Sequence, residues 1–262
     1  MSITIATWNV NSVRSRIVHL LDWLKSDKPD IILLQELKCT DDAFPFMEIE
    51  ELGYNIVTHG QKTYNGVAIL SKFPIDDVTR GIPGNEEDIN SRYIEGVLNV
   101  PGGAVRVASV YVPNGQTVPS QKFTYKLGFL DHLKNHIEKL LAYEEILVIG
   151  GDYNIAPEDS DVTNVKEWEG SVLTHDEART KWRKIMNLGV YDACRVKTPT
   201  GQSENSWWDY RANGFGAGNG LRIDHLLLSP QAADKLNDYQ VIKSLRALDK
   251  PSDHTPVVGN FL

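Results

Sequence analysis

The stretch EILVIGGDYN occupies residues 145–154 and contains one of the two buried strands from which the fold is predicted. Its first half, EILVIG (145–150), is a short apolar run that is typical of a strand buried on both faces. The glycine pair that follows predicts a tight turn that projects Asp152 and Asn154 to the same side. A second buried run, DIILLQE, occupies residues 30–36. Strands of this kind belong to sheets that other layers cover on both faces.

Patterns around these two runs predict a mixed α/β sandwich. Further strands are predicted at 3–10, 54–60, 66–72, 92–100, 105–112, 221–229 and 257–262, with 54–72 and 92–112 as hairpins. Helices are predicted where apolar residues recur over 13–24, before Lys28-Pro29, over 123–140, and from a capping box at 174–177 to near Gly189. No repeat or linker divides the chain, so we expect one domain over residues 1–262.

The composition is that of an ordinary globular protein. Hydrophobic residues make up 41 % of the 262 residues and charged residues 24 %, which excludes a mainly disordered chain. No apolar run reaches the roughly 18 residues that a membrane helix needs. The net charge of −8, from 27 basic and 35 acidic residues, opposes non-specific binding of polyanions, but it permits a locally basic groove.

Cysteine usage and the N-terminus indicate a reducing compartment. Cys39 and Cys194 stand far apart, and no CxxC motif or Cys/His cluster occurs, which argues against a thiolate zinc site. Two reduced thiols are the simpler interpretation than a disulfide. The opening stretch MSITIATWNV has no basic region before an apolar one, so we expect no signal peptide and a cytoplasmic location.

Polar residues suited to catalysis or ligand binding stand where the predicted strands end. They are Asn9, Glu36, Asp152, Asn154, Asp224 and the pair Asp253-His254. A single Asp or Asn at such a place is usually a turn former or a helix cap. Several in one chain favour a site, because loops converge beyond strand ends in α/β sheets.

Two of these strand ends carry carboxylates with alternative roles. Glu36 leaves a buried strand, so it needs a partner: either a hard cation such as Mg²⁺ or Mn²⁺, or a salt bridge to a neighbour such as Lys38. Asp152 and Asn154 together suit proton transfer and the orientation of a water or phosphate oxygen. The bland alternative is a glycine-driven turn in which the aspartate has no chemical role.

His254 is the histidine that we single out. Near neutral pH it can act as an acid, a base or a phosphate ligand, and Asp224 could accept its Nδ1–H and fix its tautomer. The other six histidines are assigned to the surface or to satisfied core positions; they are His19, His59, His132, His136, His175 and His225.

Aromatic and basic residues alternate in the stretch NSWWDYRANGFGAGNG (205–220). The interleaved residues are Trp207, Trp208, Tyr210, Arg211 and Phe215. Exposed aromatic side chains favour a binding surface, for example one that stacks on bases or enters a base step. The alternative is that one tryptophan packs in the core and the loop is merely long.

The fragments together resemble the exonuclease III family of abasic-site nucleases, in the endonuclease/exonuclease/phosphatase superfamily, and the match is closest to the bacterial type. The matching segments are TWNVNSVRSR (7–16), DIILLQELK (30–38), YNGVAILSK (64–72), SVYVPNG (109–115), IGGDYNIAP (149–157), SWWDYR (206–211), LRIDHLLLS (221–229) and PSDHTPV (251–257). Single elements such as GDxN are widespread, whereas the complete ordered set is highly specific.

The resemblance implies a fold, an activity and partners. The fold would be a four-layer α/β sandwich with two mixed β-sheets flanked by helices and the site at one end of the sheets. The activity would be metal-dependent cleavage 5′ to abasic sites in duplex DNA, with 3′-5′ exonuclease and 3′-phosphodiesterase activity. The cofactor would be Mg²⁺ or Mn²⁺, the partner would be duplex DNA with abasic sites or 3′ ends, and the protein would be a monomer.

The resemblance also implies roles for individual residues. Metal-site residues would be Glu36, Asn9 and Asp253, with Asn11 in the same motif as Asn9. Tyr111 and His254 would contact the scissile phosphate, Asp224 would hold His254, and Asp152 with Asn154 would form the GDxN pair. Asp152 would be the general base for the attacking water or, alternatively, would protonate the leaving group.

DNA contacts would come from an aromatic loop and from local cations. Trp207 and the loop to Gly220, including Phe215, would enter the minor groove at the lesion. Positive charge near the site would come from Arg211, Lys38, Lys62, Lys72 and Lys122. Two alternatives stay open: a superfamily phosphatase or phosphodiesterase for a substrate other than DNA, and a DNA-binding homologue that has lost catalysis.

Overall fold

The computed structural model describes residues 2–198 and 203–262. The strands are β1 Ile3–Asn9, β2 Ile31–Gln35, β3 Asn55–His59, β4 Val67–Ser71, β5 Ile75–Arg80, β6 Tyr93–Val100, β7 Gly103–Tyr111, β8 Ile146–Asp152, β9 Tyr191–Asp192, β10 Asp224–Leu228, β11 Leu236–Val241 and β12 Val257–Phe261. The helices are α1 Ile17–Ser26, α2 Phe46–Glu50, α3 Gln121–Leu141, α4 Val165–Trp168, α5 Asp176–Met186, α6 Ala193–Lys197 and α7 Pro230–Ala233.

The strands form two mixed sheets. The first sheet has the order β11-β12-β1-β2-β4-β3 and the second has the order β5-β6-β7-β8-β10-β9. In each sheet the central pair is parallel, β1 with β2 and β7 with β8, and the other neighbours run antiparallel. One apolar core lies between the sheets, a second between the first sheet and α1, and a third between the second sheet and α3 with α5. This arrangement confirms the four-layer α/β sandwich.

The two parallel pairs place the site. β1 ends at Asn9 and β2 runs into Glu36, while β7 and β8 end at Tyr111 and Asp152. β10 begins with Asp224, which lies opposite Asp152 in the antiparallel register. Because parallel strands end at the same edge, the functional ends of both sheets meet at one end of the sandwich.

The buried runs and both hairpins lie where the sequence predicted them, but several details differ. α1 begins at Ile17, four residues after Val13, because the chain turns through the left-handed residues Asn11 and Ser12 first. β5 and β11 were not predicted, because both expose several polar side chains and lie at the ends of their sheets. None of the helices among the described residues is long and apolar enough to cross a membrane.

The capping box predicted at 174–177 is wrong in its cap residue. The N-cap of α5 is His175, whose side chain accepts a hydrogen bond from the Glu177 amide over 3.3 Å. The Thr174 hydroxyl donates instead to the backbone carbonyl of Trp168. The Thr174 side chain therefore faces the preceding loop, and α5 begins one residue later than the capping box predicted.

The predicted turn at Gly150-Gly151 is also wrong, because both glycines belong to β8. They are needed for close packing. A Cβ on Gly151 would lie 2.0 Å from the Val110 carbonyl oxygen, and one on Gly150 would lie 2.7 Å from Leu33 Cδ1. The strand therefore continues to Asp152, and the chain turns only at Asn154, whose φ is 51°.

Gly151→Ala should destabilise the fold by about 1–3 kcal/mol or more, because the new methyl group overlaps the backbone of β7. The control is Gly128→Ala in α3, where a new Cβ meets nothing within 4 Å. That change should instead stabilise the helix by about 0.5–1 kcal/mol. Urea unfolding measures both, and equal stability of Gly151→Ala and wild type would contradict the close approach.

Candidate active site

Asn9 joins the two carboxylates at the centre of the site. Its Nδ2 donates to Glu36 Oε1 over 2.8 Å and to Asp152 Oδ2 over 2.9 Å. Its Oδ1 accepts a hydrogen bond from the Asn11 amide over 3.0 Å. In this arrangement the nitrogen faces the carboxylates and the oxygen is occupied. Asn9 therefore positions both acids, and its role as a metal ligand stays a prediction.

Glu36, Asp152 and His254 each offer a potential ligand atom, and these atoms lie within 4.8 Å of one another. Lys38 Nζ also lies 2.8 Å from Glu36 Oε2, so Glu36 has both of the partners weighed for it from the sequence. Two carboxylates with further sites left for water or phosphate are the donor set that a small hard cation such as Mg²⁺ accepts. The residues present therefore fit a divalent metal held by Glu36 with Asp152.

His254 acts as a hydrogen-bond donor in this cluster. Its Nδ1 lies 2.9 Å from Asp224 Oδ2, as the sequence predicted, and its Nε2 lies 3.7 Å from Asp152 Oδ2. Burial by itself lowers the pKa of His254, but the Asp224 and Asp152 carboxylates outweigh it and raise that pKa to about 10. The imidazolium is therefore a cation poised beside Asp152.

The pairing of His254 with Asp224 is held by two buried serines. Ser206 donates to Asp224 Oδ2 over 2.6 Å. Ser252 donates to the Asn9 carbonyl over 2.7 Å and accepts from the His254 amide over 3.2 Å. These bonds fix His254 relative to Asn9, and sequence analysis missed both serines because isolated serines carry no distinguishing pattern.

Asp152 is the most strongly perturbed acid of the site. Burial raises the pKa of Asp152 to about 7, the negative charges of Asp224 and Glu36 add to that rise, and His254 opposes it. An acid whose pKa lies near neutrality can exchange a proton with water at physiological pH. The structure therefore gives Asp152 the property that a general base or acid needs.

Asn154 is linked to Asp152 through the backbone and not through its side chain. Its amide donates to Asp152 Oδ1 over 2.9 Å. The side-chain Nδ2 donates to the Val112 carbonyl, and Oδ1 accepts from Asn114 Nδ2 over 2.8 Å. The Asn154 side chain thus faces the loop after β7 and joins that loop to its own by hydrogen bonds. The sequence had suggested instead that the two side chains act as a pair.

Tyr111 lies next to the same carboxylates. Burial raises the pKa of Tyr111 well above its ordinary value, and the charges of Glu36 and Asp152 raise it further. The Arg92 guanidinium lies 4.7 Å from the centre of the Tyr111 ring. The phenol therefore keeps its proton and can donate a hydrogen bond to an anion at the site.

Asp253 lies at the edge of this cluster. Its Oδ1 accepts from Asn11 Nδ2 over 2.8 Å, and its Oδ2 accepts from Trp207 Nε1 over 2.9 Å. Among the described residues it is not part of the group that could hold a metal. Its role as a metal ligand stays a prediction, and in the structure its two oxygens fix Asn11 and Trp207.

The aromatic loop forms an ordered wall beside the site. Trp207 is anchored by backbone bridges to Leu221 and His254, and its ring contacts Trp168 edge-on at 5.5 Å. Trp208 is buried and packs against Phe215 at 5.0 Å. The core interpretation is confirmed for Trp208, and the binding role of Trp207 stays a prediction. Phe215, predicted to contact DNA, is half-buried between Trp208 and the Arg246 guanidinium.

Trp168 was not identified from the sequence, since it is a lone tryptophan in a polar segment. With Trp207 it lines a cleft of about 410 Å³, whose other walls include Asn114, Val172 and Arg211. A second cleft of about 560 Å³ is lined by Glu36 and Tyr111. The two clefts adjoin each other at Asn114 and Gln116, which line both.

The predicted cations divide by position. Lys38, Lys122 and the unpredicted Arg92 line the second cleft. Arg211 is exposed at the rim of the first and pairs with Asp209 over 2.6 Å. Lys62 is exposed in the loop before β4.

Lys72 does not contribute to the site, because it follows β4 at the opposite end of the first sheet. There its Nζ lies 3.0 Å from Asp30 Oδ1. Strand β4 runs antiparallel to β2, so its C-terminal end points away from Glu36.

Left-handed backbone conformations are concentrated at this end of the sandwich. Asn11, Ser12, Glu36, Lys38 and Asn154 all have positive φ, between 43° and 86°. Non-glycine residues adopt this conformation at a cost, and it persists where surrounding contacts impose it. These turns aim the side chains of the strand ends into the gap between the sheets.

Comparison with known proteins identifies one family. The model of the Endonuclease/Exonuclease/phosphatase family matches residues 6–254. The chain is 36% identical to "Exodeoxyribonuclease III" of Haemophilus influenzae over 262 residues, which cover 97% of this chain and 98% of that protein.

Two solved structures extend this similarity to three dimensions. An AP endonuclease from Archaeoglobus fulgidus is 36% identical with a TM-score of 0.93, and 99% of each chain is covered. The 3′ phosphatase NExo from Neisseria, bound to a product DNA hairpin, is 37% identical with a TM-score of 0.95, again over 99% of each chain. The similarity therefore spans the whole sandwich and the site at its end.

Glu36→Gln should weaken the binding of Mn²⁺ about 10- to 100-fold, because it removes a negative ligand while keeping the hydrogen bond from Asn9. Isothermal titration with Mn²⁺ alone measures this without any substrate. The control is Glu138→Gln, an exposed acid in α3 that pairs with Lys134. Unchanged affinity in Glu36→Gln would remove Glu36 from the metal site.

Proposed function

Since the chain belongs to the endonuclease/exonuclease/phosphatase family, we propose that it is a metal-dependent DNA repair nuclease that cuts duplex DNA 5′ to abasic sites. The observation that carries this proposal is the joining of Glu36, Asp152 and the His254–Asp224 pair by the Asn9 and Ser252 hydrogen bonds. The relatives named above are nucleases and a DNA 3′ phosphatase, so the chain is a nuclease and a phosphodiester hydrolase.

Each side chain of the site can perform a separate step in the hydrolysis of a phosphodiester. Asp152 takes a proton from the attacking water, and hydrogen bonds from Asn9 and from the Asn154 amide hold its carboxylate in place for that task. His254 and Tyr111 each donate a hydrogen bond to a non-bridging oxygen, where negative charge grows in the transition state. The alternative, in which Asp152 protonates the leaving group, uses the same geometry.

Glu36, with Asp152 beside it, would hold the cation, which we propose to be Mg²⁺ or Mn²⁺. When bound, such an ion neutralises charge on the phosphate and stabilises the leaving oxygen. Asn9 keeps Glu36 and Asp152 apart at a fixed spacing, and Asp253 holds Asn11 and Trp207 at the rim.

DNA binding is compatible with a net charge of −8 because the cations are local. Lys38, Arg92 and Lys122 line one cleft next to the carboxylates, and Arg211 stands at the other. Phosphate contacts by such residues supply sequence-independent affinity. The Trp207–Trp168 wall, with Phe215 farther along the loop, forms the lesion-side surface.

A second candidate function is the trimming of 3′ ends, as a 3′-5′ exonuclease and 3′ phosphodiesterase. The similarity to a 3′ phosphatase bound to product DNA favours it. Both activities hydrolyse a phosphate ester at the same carboxylates, so one site can carry them. We also propose that the protein acts as a monomer, as one domain over residues 1–262, in the cytoplasm.

A gel assay with labelled duplexes tests both activities. With Mg²⁺ the wild type should cut a duplex with one abasic analogue once, 5′ to the lesion, and shorten or clean blocked 3′ ends; EDTA should abolish both. Asp152→Asn should lower turnover by about 10²–10⁴-fold while DNA affinity stays within about threefold.

Each other outcome of this assay contradicts the proposal in a different way. DNA binding without cleavage would indicate an inactive homologue. Neither binding nor cleavage would indicate a phosphoester other than DNA. Equal loss of binding and turnover in Asp152→Asn would give Asp152 a structural role and not a catalytic one.

Trp207→Ala should lower cutting at the abasic analogue more than the removal of a 3′-terminal phosphate, because the Trp207 ring lines the first cleft with Trp168, whereas Glu36 lines the second. We expect about a tenfold difference between the two losses, which is the scale of one lost base–aromatic contact. Tyr143→Ala, an exposed aromatic after α3, is the control. Equal losses on both substrates would contradict the lesion contact.

A further inference from the structure

Lys126 is a fully buried lysine on the apolar face of α3. It is 0 % exposed and lies among the helix residues Phe123, Phe129 and Leu130 that pack against the second sheet. A buried ammonium group is costly unless hydrogen bonds satisfy it. The packing of α3 against the second sheet therefore does not explain why a lysine lies at this buried position.

The ammonium group of Lys126 contacts three loops at once. Its Nζ donates to the carbonyls of Val172 over 2.6 Å, Asn154 over 2.7 Å and Asn114 over 3.2 Å. We call residues 112–117, 152–156 and 169–175 the three site loops. An ammonium has three N–H donors, and these carbonyls use all of them, whereas a neutral amine would have only two.

Each of the three site loops carries part of the site. The first follows Tyr111 and contains Asn114, the second holds Asp152, and the third follows Trp168 and supplies Val172 to the cleft. The loops also bond to one another, from Asn114 to Asn154 and from Ala156 to Leu173. The stem of Lys126 supports the first loop, where a Cβ on Gly115 would lie 3.3 Å from Lys126 Cδ.

We propose that Lys126 is a positioning residue of the active site, whose ammonium group holds the three site loops in the arrangement that presents Asp152 to the reacting phosphate. The inference rests on the proposed nuclease function for its effect on catalysis. The three carbonyls take all three N–H donors of the ammonium form, and among the described residues no carboxylate contacts Nζ to compensate its charge.

Lys126→Met keeps the length of the stem and removes all three donors. Hydrogen–deuterium exchange should become about tenfold faster in peptides from the three site loops, since each loop loses a bond to a charged donor. The matched control is Lys181→Met, which breaks the ion pair from α5 to Asp131 on α3, far from the loops. Unchanged exchange in the three site loops would overturn the proposal, and this readout needs no nuclease activity.

On the abasic duplex, Lys126→Met should lower kcat about 100-fold with KM within about threefold, because the loops are displaced but the cationic clefts stay. In an Asn154→Ala background the same change should cost less than about threefold, since the two act through one loop. Full additivity would reduce Lys126 to a structural residue and overturn the proposal. Lys181→Met should keep wild-type kcat.

The exchange and kinetic measurements can contradict the Lys126 inference and the proposed nuclease function independently of each other. An inactive wild type contradicts the nuclease proposal, and the exchange measurement still decides whether Lys126 orders the loops. An active wild type with an unaffected Lys126→Met overturns the Lys126 inference alone. If Lys126→Met does not fold, Lys126→Gln, which keeps two N–H donors, is measured in its place, and wild-type exchange and kcat in that variant would overturn the inference.

Discussion

A single amide group spans the two sheets at the point where their acids meet. Asn9 ends a strand of the first sheet and donates both to Glu36 of that sheet and to Asp152 of the second. Two carboxylates at this distance repel each other unless a donor or a cation lies between them. The spacing of the site therefore depends on how the sheets pack, and the apolar core between them sets that distance.

The imidazolium of His254 opposes the charge of these acids, and a contact between the two sheets also holds it in place. His254 precedes a strand of the first sheet, whereas Asp224 begins a strand of the second. Their contact, with Ser206 behind Asp224 and Ser252 behind His254, is a second bond across the gap between the sheets. Burial makes such a pair costly to separate, because removing one partner leaves an uncompensated charge. The same few contacts thus serve both stability and catalysis. Lys126 adds further hydrogen bonds, which join the three site loops next to the second sheet.

Much of the architecture could be predicted because its signals are local. Runs such as 30–36 and 145–150 are apolar throughout, and the two hairpins carry alternation with turn residues between them. The strands that were not predicted are β5, β9 and β11. β5 and β11 expose polar residues and β9 has only two residues, so their pairing partners and not their composition make them strands. The cap of α5 also depends on tertiary contacts. The Thr174 hydroxyl donates to the preceding loop, and His175 is the N-cap.

Local sequence patterns identify which residues stand at the strand ends, and hence the chemistry available: carboxylates, an amide, a histidine and an aromatic loop. How these groups face each other follows only from the packing of the two sheets. The amide nitrogen of Asn9 points at the acids, the side chain of Asn154 points away from Asp152, and Asp253 holds Trp207. Such orientations arise from backbone turns and from partners 27 to 143 residues away, and no local pattern records them. Lys126 illustrates the difference, since a lysine in an amphipathic helix gives no sign that three loops close over it.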